Sequence, residues 1–430
     1  MSLGQNIYNL CEKLFPICRS ITGDGVRDTF AFLREVVPEI LLHEVPSGTK
    51  VFDWTVPKEW NIRDAWVKDS TGKKIIDFKE SNLRVVGYST SVNKRVGLKE
   101  LKQIIFTQPE QPDVIPYVTS YYKERYGFCM RQIEKAALQE GTYHIYIDSD
   151  LKMGSLTYGE ILVPSTQNNK EEILLSTYIC HPSMANNELS GPAVTAYLAR
   201  WLLAKKERRY NYRIIFVPET IGAITYLAQE NHLDLMKKYV RAGFNISCVG
   251  DDRTYSYIAS RDGKTLADRI AKNVLSFAYP AYKSYTFLQR GSDERQYNAP
   301  GVDLPVCAIC RSKYGEYPEY HTSKDDMGLI SPSGLEGAYE VYRQCIEALE
   351  HNYCYQTQCI CEPQLGKRGL YPTISQKGTY EDVRKMMDFL AYADGKNDLV
   401  EISNIIGVPV RELTLMVEKL EKAALIKAVE

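Results

Sequence analysis

No run of about 18 apolar residues occurs in this 430-residue chain, so a membrane-spanning helix is excluded. The opening residues 1–6 have no basic flank followed by an apolar core, and no signal peptide is expected. A surplus of one charge is also missing. Lys and Arg number 53 against 54 Asp and Glu, a formal net charge of -1, which argues against a chain built mainly to grip nucleic acid or anionic lipid. Histidine is scarce at six residues, so each one is worth following. What is present is ordinary for a soluble globular protein: 44% hydrophobic and 25% charged residues exclude a disordered or fibrous chain. Eleven cysteines, an odd number, with no secretion signal, point to reduced thiols and a cytoplasmic location. At roughly 150 residues per domain, two or three domains are expected.

Residues 5–44 space their apolar positions helically (Tyr8, Leu10, Cys11, Leu14, then Phe30, Leu33, Val36), with a turn at 22–25 between two helices. Residues 46–150 change character. They carry β-type runs at 65–67, 74–78 and 83–88, a hairpin turn at 70–73, and a closing strand pair at 143–147 and 160–163. From about residue 154 strands and helices alternate. Strands are expected at 173–180, 212–217, 244–249 and 304–310, helices at 190–206, 222–238 and 264–277. Strands apolar on both faces belong to a sheet covered on both sides. Cys307 and Cys310 lie inside one such strand and read as structural thiols, with a zinc or redox pair as the competing reading; Cys359 and Cys361 have no matching pair either. Residues 352–379 read as a linker. Residues 380–430 read as three short helices, with a Gly407-Val408-Pro409 turn between the last two and a closing strand at 424–429, a winged helix-turn-helix. The expected organisation is an α/β domain with a mixed sheet sandwiched by helices (1–45 and 151–355), an inserted β-rich domain (46–150) and a winged helix (378–430).

In an open α/β sheet, ligands bind beyond the carboxyl ends of the strands. His181 follows the first expected strand, with Asn187, Glu188 and Ser190-Gly191 close behind. Glu219 and Thr220 follow the second, Asp251 the third, and a stretch holding Tyr320, His321 and Asp325 the last. Any one of these is accounted for as a helix cap or a satisfied polar residue. Four successive strand ends that deliver His, Glu, Asp and Asn to one edge are what a hydrolytic metal site requires. Imidazole and carboxylate hold a cation, and a free carboxylate activates its water.

The order of these motifs resembles that of the zinc aminopeptidases of the co-catalytic exopeptidase type and their carboxypeptidase-like relatives. His181 falls at the first His ligand, 187–191 at an Asp-Asn-x-Ser-Gly stretch with a bridging Asp, and Glu219-Thr220 at a Glu-Glu pair. Asp251 falls at the next Asp ligand and His321 at the last His. The whole chain further resembles a bacterial family of aminopeptidase-like proteins with an inserted β domain and a C-terminal winged helix, many of them labelled as polysaccharide-biosynthesis proteins. Residues 290–296 (Arg-Gly-Ser-Asp-Glu-Arg-Gln) and 317–323 (Tyr-Pro-Glu-Tyr-His-Thr-Ser) carry that likeness. The resemblance implies a zinc-exopeptidase-like fold, with Glu219 as general base. Two departures matter: Asn187 stands at the bridging Asp and Thr220 at the second Glu. A neutral amide bridges two dications poorly, so one zinc is expected rather than two. Its ligands would be His181, His321 and a carboxylate, Glu188 or Asp251. Asn187, Asp293, Arg295 and Tyr320 are candidates to contact substrate, Arg for a carboxylate, Asp for an amine and Tyr for an oxyanion. Asp325 or Asp326 would orient His321.

The function so implied is a zinc-dependent hydrolase of aminopeptidase type that cleaves an amide bond in a short peptide or an amide-bearing small molecule. The competing reading is a catalytically degenerate metallopeptidase-like scaffold that binds a ligand and signals through the winged helix to a protein partner. Residues 380–430 hold seven basic against ten acidic side chains, a net charge of -3. Phosphate contacts need a basic surplus. A protein partner or a homo-oligomer, through the winged helix or the β domain, is therefore expected in preference to nucleic acid.

Overall fold

The apolar runs between residues 155 and 310 become strands of one eight-stranded sheet in a computed structural model that describes residues 1–121, 123–371 and 380–429. In spatial order the strands are Leu41–Pro46, Ser155–Val163, Asn211–Val217, Glu172–Tyr178, Val240–Asn245, Val306–Cys310, Ser256–Ile258 and Lys283–Tyr285. The four central strands are mutually parallel, and antiparallel neighbours flank them on both sides. Ile173 to Tyr178 and Tyr212 to Val217 are buried on both faces, as uninterrupted Ile, Leu and aromatic runs require. Tyr178 pairs with Val217, so the chain leaves these two strands side by side at one edge.

Several boundaries differ from expectation. Residues 41–44 are not helical. The helices are Leu3–Leu14 and Asp24–Val36, Pro38 stops the second, and 41–46 forms an edge strand. The expected helix at 222–238 is two, Ile221–Leu227 and His232–Tyr239, parted at Asn231, which has φ 63°. The third central strand spans Val240–Asn245, earlier than the 244–249 expected. Residues 143–147 and 160–163 do not pair. Thr142–Lys152 belongs to a four-stranded antiparallel sheet with Glu59–Lys68, Lys74–Asp77 and Val92–Gly97, while Ser155–Val163 belongs to the large sheet. Residues 83–88 are not a strand either. Asn82–Arg84 is a 3-10 turn, and the following amides bond to Gly127 and Val118. Ala65, Val67, Val96, Ile145 and Ile147 form the core under the four-stranded sheet. Gly23 opens the second helix at φ 100°, and a Cβ there would stand 2.2 Å from the Trp60 carbonyl oxygen, so no other residue fits.

The chain divides into two compact units, Met1–Thr265 with Lys283–Tyr339, and Leu266–Tyr282 with Glu340–Glu430. The first holds both sheets described so far. The second contains a three-stranded sheet in the order Asp394–Asp398, Cys354–Thr357, Ile426–Val429, with helices Glu381–Tyr392, Leu399–Ile406 and Val410–Lys422. The expected linker therefore contains the middle strand of a wing sheet, while 372–379 lie outside the described residues. Asp398 and Glu401 cap the Leu399–Ile406 helix reciprocally, and Gly407 ends it at φ 67°. Cys307 and Cys310 are buried free thiols within their strand. No helix among the described residues is long and apolar enough to cross a membrane.

Candidate active site

The parallel strands end at a cavity of about 660 Å³ whose floor includes Cys180, His181, Glu219, Thr220, Arg295 and His321. Its opposite wall comes from outside the large sheet and includes Trp54, Tyr88, Tyr117 and Tyr121.

His181 leaves the strand Glu172–Tyr178 three residues on, buried. Its Nδ1 lies 3.1 Å from Glu188 Oε2 and 3.2 Å from Cys180 Sγ, and its Nε2 stands 3.7 Å from Glu219 Oε2. Burial lowers the affinity of His181 for a second proton, but the facing carboxylates of Glu188 and Glu219 outweigh that and raise it overall. Glu188 sits in the single π-helical turn Ala185–Leu189 that opens the helix Ser190–Ala204. Gly191 lets that helix approach the sheet, since a Cβ would come within 2.5 Å of the Ile246 carbonyl.

Glu219 is presented by a tight turn. Thr220 has φ 64° and ψ -77°, and the Ile221 amide donates to the Glu219 carbonyl at 2.8 Å. This is a γ-turn of the rare, strained hand, with a β-branched residue at its centre. Asp293 and Arg295 both act on that turn. The Thr220 amide donates to Asp293 Oδ1 at 2.7 Å, and Arg295 Nη2 donates to Thr220 Oγ1 at 2.6 Å. Asp293 Oδ2 and Arg295 Nε are buried without a hydrogen-bond partner. Burial is the chief cause on both carboxylates: it raises the proton affinity of Glu219, and it holds Asp293 well above the usual carboxylate range, with Glu219 adding to that.

His321 sits at φ 56° in a loop stitched to residues 115–117. The Tyr117 amide donates to the His321 carbonyl at 2.9 Å, and the Ser323 amide to the Ile115 carbonyl at 2.9 Å. Tyr320 stacks on the His321 ring at 3.9 Å between centroids, so it packs on the imidazole. Tyr117 covers both imidazoles, 5.2 Å from His181 and 5.1 Å from His321, and the two histidine rings are 5.3 Å apart. Burial and the neighbouring His181 push His321 down to about 3, so it is a neutral imidazole, and its Nε2 is buried without a partner.

Three expectations need correction. Asp325 and Asp326 do not contact His321: Asp325 accepts from the Asn186 and Asn187 amides and the Tyr317 hydroxyl, and Asp326 from the Gly328 amide. Asp251 accepts from Asn186 Nδ2, the Arg253 amide, and the Ser312 amide and hydroxyl, and bonds to neither histidine. Asn187 turns its Nδ2 to the Tyr178 hydroxyl at 2.8 Å, leaving Oδ1 buried and unpartnered. Arg19, Tyr117 and Cys180 reach the site with no signal in the sequence beyond the place of Cys180 beside His181.

Among the described residues, the one group of three or more metal-capable side chains that converges is Cys180, His181 and Glu188. A cation there would meet the Arg19 guanidinium, whose Nε is 3.4 Å from Glu188 Oε1. The cavity side of the two imidazoles suits one better. His321 Nε2 is unpartnered there and His181 Nε2 stands 3.7 Å from Glu219 Oε2, and imidazole nitrogens beside a carboxylate fit a divalent cation.

A parallel-centred sheet with this edge is the fold of the zinc aminopeptidases. The zinc aminopeptidase BSAP of Bacillus subtilis superposes with a TM-score of 0.58, over 80% of this chain and 95% of that one, at 12% identity. The protein is thus an aminopeptidase-like α/β protein with a C-terminal winged helix; residues 352–428 match the winged helix-turn-helix family. Residues 8–352 match the family described as Domain of unknown function (DUF4910), and the chain belongs to that family. A protein of Clostridium acetobutylicum is 45% identical over 428 residues, 99% of this chain and 97% of its own length; it is provisionally named a polysaccharide biosynthesis protein with aminopeptidase-like domain. A crystal structure provisionally named a peptidase, from the same organism, matches with a TM-score of 0.92 and 44% identity, over 99% of this chain and 96% of that one.

Proposed function

We propose that this protein is a zinc-dependent hydrolase that cleaves an amide bond in a short peptide or an amide-bearing small molecule. The observation that carries this reading is the convergence of Glu219 on His181 Nε2 at 3.7 Å, with the unpartnered Nε2 of His321 in the same cavity. His181 and His321 would hold the ion, and when bound it supplies a Lewis acid that makes water acidic near neutral pH. Neutral residues at Asn187 and Thr220, where a two-ion site needs carboxylates, favour one ion. Glu219 takes a proton from the attacking water and delivers it to the leaving amine. Burial raises its proton affinity, which suits a carboxylate that must give the proton back. Asp293 and Arg295 hold the turn that aims Glu219, so in this reading they act on the turn rather than on a substrate terminus. Glu188 acts behind His181, and Asp251 braces the 186–187 turn.

A cavity of about 660 Å³ admits a short peptide or a small amide and excludes a folded chain. The acid-rich winged helix is read as a protein-docking module. The test is a panel of aminoacyl and acyl amides with wild type and Glu219→Gln. Wild type turns over at least one class, and the variant loses about 10²- to 10⁴-fold in kcat at unchanged zinc content. Equal kcat in both overturns the reading.

A further inference from the structure

We propose that Arg19 is a positioning residue that decides which nitrogen of His181 faces the cavity. The side chains of Arg19 and Glu188 are both completely buried. Arg19 Nε donates to the His181 carbonyl at 3.1 Å and lies 3.4 Å from Glu188 Oε1. Its Nη1 donates to the Leu14 carbonyl at 2.8 Å and to Thr29 Oγ1 at 3.2 Å. The Cys180 amide donates to the same Glu188 Oε1 at 2.8 Å. That oxygen is held from two sides, and Oε2 is left to meet His181 Nδ1 at 3.1 Å.

A carboxylate facing a guanidinium has no hydrogen to give. In the neutral ring of His181 the proton therefore sits on Nδ1, 3.1 Å from Glu188, and the Nε2 lone pair faces the cavity, 3.7 Å from Glu219 and beyond hydrogen-bond distance of it. One guanidinium thus holds the backbone of His181 and the carboxylate that fixes its ring, while its other arm is anchored to the end of the first helix and to the second. A lysine ammonium is a single point and cannot span those acceptors in one plane. A buried ion pair of this kind is poor evidence of net stability, since desolvation offsets its attraction, so a role in orientation accounts for it better.

The consequence for zinc rests on the hydrolase reading; the tautomer does not. Apo protein labelled with ¹⁵N-histidine gives long-range ¹H–¹⁵N spectra of only six imidazoles, and His181→Gln assigns the one of interest. In wild type, His181 is a single tautomer with the proton on Nδ1. Arg19→Lys and Glu188→Gln, chosen to keep the volume filled, lose that signature. Competition with a chromogenic chelator then shows zinc held 10- to 100-fold more weakly than in wild type, the usual effect of removing a partner behind a ligand (about 10- to 100-fold). Circular dichroism and thermal melting establish that each variant folds; if Arg19→Lys does not, Glu188→Gln carries the comparison. An Nε2-protonated His181 in wild type overturns the proposal, and so does a folded Arg19→Lys or Glu188→Gln with the wild-type tautomer and zinc affinity. If wild type binds no zinc, the hydrolase reading fails, and the tautomer comparison still decides the role of Arg19.

Discussion

Replacing Thr220 by glycine is expected to leave the protein more stable than replacing it by alanine, the reverse of the usual order. Both variants lose the hydroxyl that accepts from Arg295 Nη2 at 2.6 Å, so that loss cancels in the comparison. What differs is the backbone. At φ 64° and ψ -77° a residue with a Cβ is strained, and such strain costs about 1–3 kcal/mol. Glycine escapes it, but releases more chain entropy on unfolding, which costs about 0.4–1 kcal/mol relative to alanine. At the middle of both ranges the difference leaves Thr220→Gly ahead of Thr220→Ala by about 1.3 kcal/mol. Urea unfolding followed by tryptophan fluorescence measures this as a shift in midpoint at constant slope. The kinetic prediction runs the other way. Glycine loosens the turn that aims Glu219, so Thr220→Gly loses more kcat than Thr220→Ala although it is the more stable variant. An alanine variant as stable as the glycine variant, or more so, would refute the claim that the turn is strained.

Gly191→Ala forces a methyl against the Ile246 backbone carbonyl at 2.5 Å and the buried Thr177 hydroxyl at 2.6 Å, and is expected to destabilise by about 1–3 kcal/mol in the same urea assay. Asp398→Ala removes the carboxylate that accepts from the Glu401 amide at 3.0 Å and is expected to cost about 0.5–2 kcal/mol, read as a lowered melting transition. With a net charge of -3 over residues 380–430, the protein is expected to show no salt-dependent shift of duplex DNA in a mobility assay; a shift that weakens steeply with salt would contradict the protein-docking reading.

The strands 172–178, 211–217 and 306–310 were legible because a strand buried on both faces must be apolar throughout. That His181, Glu219 and His321 meet in one cavity was legible as a consequence, since the chain leaves such a sheet along one edge. The strand at 41–46 was not: an edge strand with Leu41, Leu42 and Glu44 outward and Val45 inward has no run of its own to mark it. Nor was the hand-over at 153–154, where two strands that read as a hairpin enter different sheets. Arg19 and Tyr117 were invisible for a different reason. Each meets the site through contacts more than 60 residues away in sequence, and a lone Arg in a Cys-Arg-Ser stretch or a Tyr after Pro116 carries no periodic signal. The surroundings of Asp251 were not legible, because position after a strand says where a carboxylate begins and nothing about which donors meet it; here four of them tie it to residues 186, 253 and 312.

The central claim is that His181 and His321 form a zinc site in front of Glu219. Elemental mass spectrometry of the purified wild type and of His321→Ala, both dialysed after zinc loading, tests it most directly. The account predicts about one zinc per wild-type chain, held by the two imidazoles with Glu219 beside it as base, and its loss in the variant. A wild-type chain that retains no zinc, or a His321→Ala chain that retains as much as wild type, would contradict it.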